Sequence, residues 1–331
     1  MKFGLFGGIS ASSGDVTGYR DSYESYIASV IDAEKLGYHS NFVVEHHFTG
    51  MGQVSSSLNL LTFLAARTSR IRLGTAVVVL PWHNPVLIAE QAATLDLLSG
   101  GRFDFGVGKG YRSSEFEGFR IPIEEASERF EEAMAVIRAA WTTEGPFSHH
   151  GKRWRFQDIV VEPITVQDPH PPFWMAAGRP ESLRAAADDG YNLLLDQFQT
   201  FSVTLERLTI YRKALAEFGR AWDPSGAAVA RALYITETPT EREAAVAARI
   251  RQLAFMNAHG QSTDGKQHSS MVSDDDLVKA TEQGVLIGSP TEIIDRLQKL
   301  EDGGVGYILL SPQTNEAMRI FADKVLPTFS N

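Results

Sequence analysis

Eight short apolar runs alternate with longer segments in which apolar residues recur at helical spacing along the chain of 331 residues. Several of the short runs are continuously apolar, which is typical of parallel strands covered by helices on both faces. Glycine or proline marks many of the helix ends between them. The predicted strands cover residues 3–6, 42–45, 71–80, 103–107, 173–177, 191–195, 230–236 and 307–310.

The number and order of these elements predict a closed (β/α)8 TIM barrel, in which the loops after the strands build the functional site. Two insertions interrupt the alternation. One follows the fourth strand at residues 146–172, with a predicted hairpin turn at His149-His150-Gly151-Lys152, and the other precedes the eighth strand at residues 259–276. Loops of this length commonly act as lids, which is the role expected here. No proline- or serine-rich linker divides the chain, so residues 1–331 are predicted to form one domain.

Composition restricts the classes of function. The chain is 43% apolar and 22% charged, with a formal net charge of −10 and an isoelectric point near 5.4, which argues against nucleic acid or an anionic membrane as a partner. The absence of cysteine excludes disulfides, thiolate metal sites and a cysteine nucleophile. No apolar run approaches the roughly 18 residues of a spanning helix, and glycine interrupts the N-terminal run too early for a signal peptide. A cytoplasmic location is therefore predicted.

The most informative polar residues are Glu45, His46 and His47, which follow directly on the second predicted strand. Burying such groups unpaired would cost several kcal/mol each, whereas an open strand end lets them face a ligand. Histidine also titrates near neutral pH and can therefore give and take protons there. A hydrogen-bonded cap on the sheet edge is the structural alternative.

Two further strand ends have features of anion sites. Gly106-Val107-Gly108-Lys109-Gly110-Tyr111 follows the fourth strand, where glycines allow close approach of a ligand and the lysine offers a cation. Ala177-Gly178-Arg179-Pro180-Glu181-Ser182 follows the fifth strand, and Pro180 fits the first position of a helix. A helix N-terminus beside an arginine is a ready phosphate site, although ordinary helix capping is the alternative. Together the two segments predict a phosphorylated cofactor at one mouth of the barrel.

At this point the chain resembles the bacterial-luciferase-like flavin-dependent monooxygenases. The resemblance implies a (β/α)8 barrel, usually dimeric, that binds reduced FMN at the C-terminal face of its strands. It also implies a separate flavin reductase as partner and oxygenation by a flavin C(4a)-peroxide formed with O2. The resemblance rests on the phosphate segment at Gly178 together with Val44-Glu45-His46-His47-Phe48-Thr49, Arg70-Ile71-Arg72-Leu73-Gly74-Thr75-Ala76-Val77, Gln91-Ala92-Ala93-Thr94-Leu95-Asp96 and Leu98-Ser99-Gly100-Gly101-Arg102-Phe103.

Carried over residue by residue, the resemblance implies that His46 is the catalytic residue at the reacting edge of the flavin. Glu45 and His47 would shape and orient the pocket, and a cis peptide would join Ala76 to Val77 against the flavin ring. The implied phosphate contacts are Lys109, Tyr111, Gly178, Arg179 and Ser182.

This chain departs from the light-emitting luciferase subunit at four of the expected cofactor positions. Gly108 stands where that subunit has a cysteine, and Lys109 stands where it has an arginine. Ala177 and Gly178 stand where it has a carboxylate and a serine. These departures weaken an expectation of light emission and leave the expectation of FMN binding in place.

The sequence indicates a substrate class and leaves two other functions open. No cluster of arginines suggests a multiply charged substrate, so an uncharged aldehyde, ketone or aromatic compound is expected. A deazaflavin-dependent hydride-transfer enzyme shares this barrel, although the Glu45-His46-His47 triplet and the lack of an extended basic patch favour FMN. A non-catalytic flavin-binding protein is the other alternative. No metal site is predicted, because the adjacent His46 and His47 in an extended segment project to opposite sides.

Overall fold

The computed structural model describes residues 1–9, 15–50, 53–260 and 272–329. Within these ranges no helix is both long and apolar enough to cross a membrane. The strands are β1 (Lys2–Gly7), β2 (Ser40–Val43), β3 (Arg72–Thr75), β4 (Val78–Val79), β5 (Phe103–Gly108), β6 (Phe147–His150), β7 (Arg155–Ile159), β8 (Phe173–Ala176), β9 (Asn192–Leu195), β10 (Ala227–Ile235), β11 (Leu286–Gly288) and β12 (Tyr307–Pro312). The α-helices are α1 (Val16–Lys35), α2 (Ser57–Ala65), α3 (Pro85–Ser99), α4 (Ser113–Phe119), α5 (Ala126–Thr142), α6 (Pro180–Asp188), α7 (Phe201–Glu217), α8 (Pro239–Gly260), α9 (Leu277–Gly284), α10 (Pro290–Asp302) and α11 (Asn315–Lys324).

Eight of the strands close into a parallel barrel. They pair in the order β12, β1, β2, β3, β5, β8, β9 and β10, and β10 pairs back onto β12. Each of the eight predicted strands corresponds to one of these strands. The predicted (β/α)8 TIM barrel is therefore confirmed.

Two details of the predicted strands were wrong. The third strand is not continuous over residues 71–80, because the chain leaves β3 at Thr75 and resumes as β4 on the far side of a cis Ala76-Val77 peptide. The short β11 was missed, since three residues carry no detectable alternation; it pairs with the end of β10.

The two insertions have different outcomes. In the first, β6 and β7 form the expected antiparallel hairpin, but His149 and His150 belong to the strand β6 rather than to the turn. In the second, residues 261–271 lie outside the described residues. The lid role assigned to both insertions stays a prediction.

Contacts divide the chain into two compact units. The first unit consists of Met1–Gly7, Ala28–Phe42 and Met175–Asn331, and the second unit consists of Gly8–Ile27 and Val43–Trp174. The single domain over residues 1–331 stays a prediction.

The core of the first unit joins β1 to the C-terminal helix. The ring of Phe3 packs edge-on against Phe321, with ring centroids 5.1 Å apart. The hydroxyl of Tyr38 donates to the backbone carbonyl of Met318 at 2.9 Å, so this buried polar group is satisfied. Gly4 leaves room for the side chain of Ser40, because a Cβ atom at position 4 would lie 2.1 Å from the Ser40 hydroxyl oxygen.

In the second unit, Arg102 joins the ends of two helices to the start of β5. Its guanidinium donates to the backbone carbonyls of Ser99 and Ile71, both at 2.8 Å, and to that of Ala65 at 3.0 Å. It also reaches the hydroxyl and the carbonyl of Thr68 at 3.0 and 3.1 Å. The carbonyls at a helix end have no partner within the helix, so Arg102 satisfies groups that would otherwise be left unpaired.

Asp96, in α3, holds the chain that follows the inserted hairpin. Its carboxylate is fully buried and accepts from the backbone N–H groups of Val166 and Gln167 at 2.7 and 3.0 Å. The side-chain amide of Gln167 donates to it at 2.7 Å. Asp96 and Arg102 belong to two of the sequence motifs on which the family resemblance rests, and their contacts give these motifs a structural role.

We predict that Arg102→Lys lowers the free energy of unfolding by about 2–4 kcal/mol, because one ammonium group cannot replace a guanidinium fork that serves five acceptors. Chemical denaturation would measure the change. The matched control is Arg67→Lys, because Arg67 is an exposed arginine just after α2. The free energy of unfolding of this variant should stay within about 0.5 kcal/mol of the wild type. Equal effects of the two substitutions would contradict the role given to Arg102.

Candidate active site

Glu45, His46 and His47 leave the end of β2 in an extended segment of the second unit. The backbone N–H of His46 donates to the carbonyl of Val54 at 2.8 Å, which fixes this segment against the following loop. Alternate side chains of an extended chain point to opposite sides. Accordingly Glu45 and His47 contact each other, whereas His46 contacts Glu115.

One oxygen of Glu45 is the acceptor for three neighbouring side chains. Its Oε1 accepts from Nε2 of His47 at 3.1 Å, from Nε1 of Trp82 at 3.0 Å and from Nε2 of His83 at 2.9 Å. Burial alone would raise the pKa of Glu45, but the hydrogen bonds from His47, His83 and Trp82 together lower that pKa to about 2. The carboxylate is therefore ionised at neutral pH, and it fixes the orientation of both imidazoles.

His46 is held by Glu115 and remains neutral. Burial lowers the pKa of His46; the hydrogen bond to Glu115 opposes this, and the positive charge of Arg112 adds to it. Its Nδ1 lies 3.0 Å from Oε1 of Glu115, which also accepts the backbone N–H of His47 at 2.9 Å. The contact is therefore a hydrogen bond from a neutral imidazole, with the proton assigned to Nδ1 because its partner is an acceptor. The lone pair on Nε2 is left to accept a proton.

Aromatic rings cover the Glu45 side of this segment. The ring of Phe119 lies 4.8 Å from that of His47 and stacks on that of Trp82 at 5.1 Å. Trp82 also meets Phe116 edge-on at 5.2 Å, and Phe48 packs against Phe119 at 4.9 Å. We call Phe48, Trp82, Phe116 and Phe119 the aromatic wall. It gives His47 an apolar border.

Sequence reasoning missed three side chains of this site, Glu115, His83 and Arg112. Glu115 lies in the first turn of α4, and Arg112 immediately precedes that helix. His83 comes just after β4 and before the Asn84 that caps α3. Each of the three follows the C-terminal end of a barrel strand. The strand-end argument used for His46 could therefore have identified them.

The cis peptide predicted between Ala76 and Val77 is confirmed. The N–H of Ala76 donates to the carbonyl of Val43 at 2.7 Å, which joins this turn to the end of β2. Opposite it, Gly108 presents bare backbone: a Cβ atom there would lie 2.5 Å from a methyl carbon of Val77. Glycine at position 108 therefore has a steric cause, because the two residues pack closely against each other.

The other predicted cofactor residues of the second unit point in two directions. The ring of Tyr111 lies edge-on to that of His46, with centroids 6.3 Å apart. Lys109 instead reaches α5, where its Nζ lies 3.2 Å from the hydroxyl of Ser127 and 3.4 Å from Oε1 of Glu131. The structure thus brings Tyr111, and not the Lys109 ammonium, to His46.

The predicted phosphate segment of the first unit begins α6. The hydroxyl of Ser182 accepts the backbone N–H of Arg179 at 3.2 Å and donates to its carbonyl at 2.9 Å, so it caps the helix locally. The N–H of Ala177 donates to the carbonyl of Leu194 at 3.3 Å. The guanidinium carbon of Arg207 would lie 3.1 Å from a Cβ atom on Gly178.

Arg207 was not predicted as a neighbour of this segment. It lies within α7 and forms an ion pair with Asp196 at 2.7 Å. Nothing in a helix interior signals such a contact in the sequence.

The chain is similar in sequence and in structure to known monooxygenases. The sequence profile of the family described as "Luciferase-like monooxygenase" matches residues 1–306. The chain is 27% identical over 321 residues to the oxygenase component of the flavin-dependent trigonelline monooxygenase of Acinetobacter baylyi, covering 93% of this chain and 87% of the relative. It is 30% identical over 299 residues to the FMNH(2)-dependent dimethylsulfone monooxygenase of Pseudomonas putida, covering 84% and 79%. The solved structure of monooxygenase RslO1 from Streptomyces bottropensis superposes with a TM-score of 0.79 at 27% identity, with both chains fully covered.

We predict that His46 makes folding stability depend on pH. A histidine that stays neutral when folded but takes up a proton when unfolded favours unfolding as the pH falls below about 6.5, the ordinary pKa of histidine. The free energy of unfolding should therefore decrease more steeply between pH 7.5 and 5.5 in the wild type than in His46→Gln, whose amide does not titrate. Urea titrations over a pH series would measure both slopes.

The control for this prediction is His150→Gln, because His150 is exposed. Its slope should match the wild type. Identical slopes for His46→Gln and the wild type would show that the folded protein does not hold His46 neutral.

Proposed function

Because the chain belongs to the luciferase-like monooxygenase family, we propose that it is a flavin-dependent monooxygenase that uses reduced FMN and O2 to oxygenate a small organic molecule. The family and the enzyme class, an oxidoreductase, agree with those that the sequence resemblance implied. The observation that carries the proposal is the neutral His46, held by Glu115 at the C-terminal end of a barrel strand with Nε2 available for a proton.

The cofactor proposal rests on the fit of residues in each unit. The Pseudomonas putida relative depends on FMNH(2), and the Acinetobacter baylyi relative is flavin-dependent. In the second unit, the bare backbone of Gly108 and the packed Ala76-Val77 turn offer a flat surface that a side chain at position 108 would fill. The residues proposed to bind the ring and its surroundings are Glu45, His46, His47, Ala76, Val77 and Gly108.

The phosphate contacts remain those predicted from the sequence. In the second unit these are Lys109 and Tyr111, of which Lys109 would have to exchange its contact with Glu131, a carboxylate that is 70% exposed. A pair so exposed contributes little to stability, so the exchange is inexpensive. In the first unit the proposed phosphate contacts are Gly178, Arg179 and Ser182, and Ala177 is proposed as a neighbouring cofactor-binding residue.

The residues of the site divide the chemical work. When bound, reduced FMN would supply the electrons that reduce one atom of O2 to water while the other enters the substrate. His46 would take up and return a proton at Nε2, with Glu115 holding the imidazole at Nδ1. Glu45 would keep His47 and His83 in fixed orientations, and the aromatic wall would form the apolar border on their side of the segment.

A flavin reductase and a small-molecule substrate complete the proposal. The Acinetobacter baylyi relative is described as an oxygenase component, which supports a separate protein as the source of reduced flavin. A homodimer and a cytoplasmic location stay predictions from the sequence.

We predict that FMN binds more tightly than riboflavin, and that Arg179→Ala or Lys109→Ala weakens FMN binding by about 1.5–3 kcal/mol, the range for a charge-assisted contact. Titration followed by flavin fluorescence would give the affinities. Arg184→Ala is the matched control, since Arg184 lies on the exposed part of α6 and pairs with Glu217. Equal affinity for FMN and riboflavin would refute the phosphate contacts, and tight binding of a deazaflavin instead would favour the hydride-transfer alternative.

We predict that His46→Ala leaves FMN binding nearly unchanged and reduces product formation by roughly 10²–10⁴-fold, the usual effect of losing a general acid or base. Reduced flavin and O2 would then be consumed mainly to give hydrogen peroxide. The measurement is product formed per flavin oxidised, with a flavin reductase present and His150→Ala as control. Wild-type coupling in His46→Ala would remove this residue from the mechanism.

A further inference from the structure

Arg112 is a buried cation at the end of β5, between the strand and α4. The residue is 4% exposed, and its Nε atom has no hydrogen-bond partner. The hydroxyl of the next residue, Ser113, is likewise buried without a partner. Two adjacent unsatisfied donors are unusual, because most buried polar groups in folded proteins are paired.

The charge of Arg112 is poorly compensated within the described part of the second unit. Its Nη1 donates to the neutral amide oxygen of Gln53 at 3.3 Å. The carboxylate oxygen of Glu115 lies 4.0 Å away, and that same oxygen already accepts hydrogen bonds from His46 and His47.

The charge of a second arginine in the same unit, Arg72, is fully compensated by a carboxylate. Arg72 meets Asp104 with two hydrogen bonds, at 2.7 and 3.0 Å. Burying a guanidinium without such a partner is costly, so Arg112 is the group in this unit that an added anion would stabilise most.

Arg112 also belongs to the group around the catalytic histidine. Its guanidinium carbon lies 5.6 Å from the ring centre of Tyr111, and that ring lies edge-on to His46. Arg112 lies close enough to His46 for its positive charge to help lower the pKa of that histidine. An anion held by Arg112 would therefore lie beside the residue that handles protons.

We propose that Arg112 binds the carboxylate of a monoanionic organic substrate and thereby determines which compounds the enzyme oxygenates. The proposal rests on the proposed function, because it assigns the substrate class of that same site. A planar guanidinium matches a planar carboxylate in a two-point contact, and one partly compensated cation matches one negative charge. This differs from the uncharged substrate expected from the sequence, where a single arginine gave no signal.

The test compares carboxylates with their neutral amides on the FMN-loaded protein. The probes are benzoate and benzamide, nicotinate and nicotinamide, and hexanoate and hexanamide, with dissociation constants measured by calorimetry. The wild type should bind the carboxylate of at least one pair 10-fold or more tightly than its amide. Arg112→Gln should reduce this preference by roughly 10–100-fold, the range for losing one charge-assisted contact, while amide binding stays the same. Arg112→Lys should keep part of the preference.

The matched control is Arg120→Gln, because Arg120 is the exposed arginine at the other end of α4. It should retain the wild-type preference. Three results would overturn the proposal: no carboxylate preference in any wild-type pair, a preference that survives in Arg112→Gln, or an Arg112→Gln protein that loses FMN affinity instead. If Arg112→Gln does not fold, the relative affinities of the wild type for carboxylates and amides still test the proposal. Failure of the proposed function would appear separately, as a wild type that does not bind FMN.

Discussion

The strand-end site depends on one atom, Oε1 of Glu115, which accepts hydrogen bonds from the imidazole of His46 and from the backbone N–H of His47. The side chain of Glu115 is 2% exposed, and its burial is tolerated because these donors satisfy it. α4 carries this carboxylate together with Phe116 and Phe119. A helix of seven residues thus supplies both the hydrogen-bond acceptor and two of the four rings of the aromatic wall.

Glu45 and Glu115 lie on opposite sides of the extended segment that follows β2, and they have different roles. Glu45 is ionised and accepts hydrogen bonds from three side chains. These bonds restrict the rotation of His47, Trp82 and His83. Glu115 instead engages one nitrogen of His46 and leaves the other open. Many active sites contain two acidic residues in different environments, so that one can orient neighbouring groups while the other supports proton transfer.

The sequence was informative wherever a feature is local. Continuous apolar runs identify strands that are covered on both faces, and three ionisable residues at a strand end indicate a site. The pairing of His46 with Glu115 spans 69 positions, so no local pattern could reveal it. Arg207 beside Gly178 is hidden for the same reason, since a helix interior carries no sign of what its long side chains reach. The cis peptide between Ala76 and Val77 was expected from the family resemblance, whereas the break in the third strand was not predicted, because the apolar run continues through it.

The close packing of Gly108 against Val77 makes these two positions epistatic. A side chain at 108 would overlap a methyl group of Val77, so position 108 cannot gain a side chain while valine stands at position 77. A descendant of this chain that acquired the cysteine of the light-emitting subunit would first need a smaller residue at 77. The order of the two substitutions is thereby constrained. A cysteine can appear at position 108 only after an intermediate in which residue 77 packs less closely against position 108.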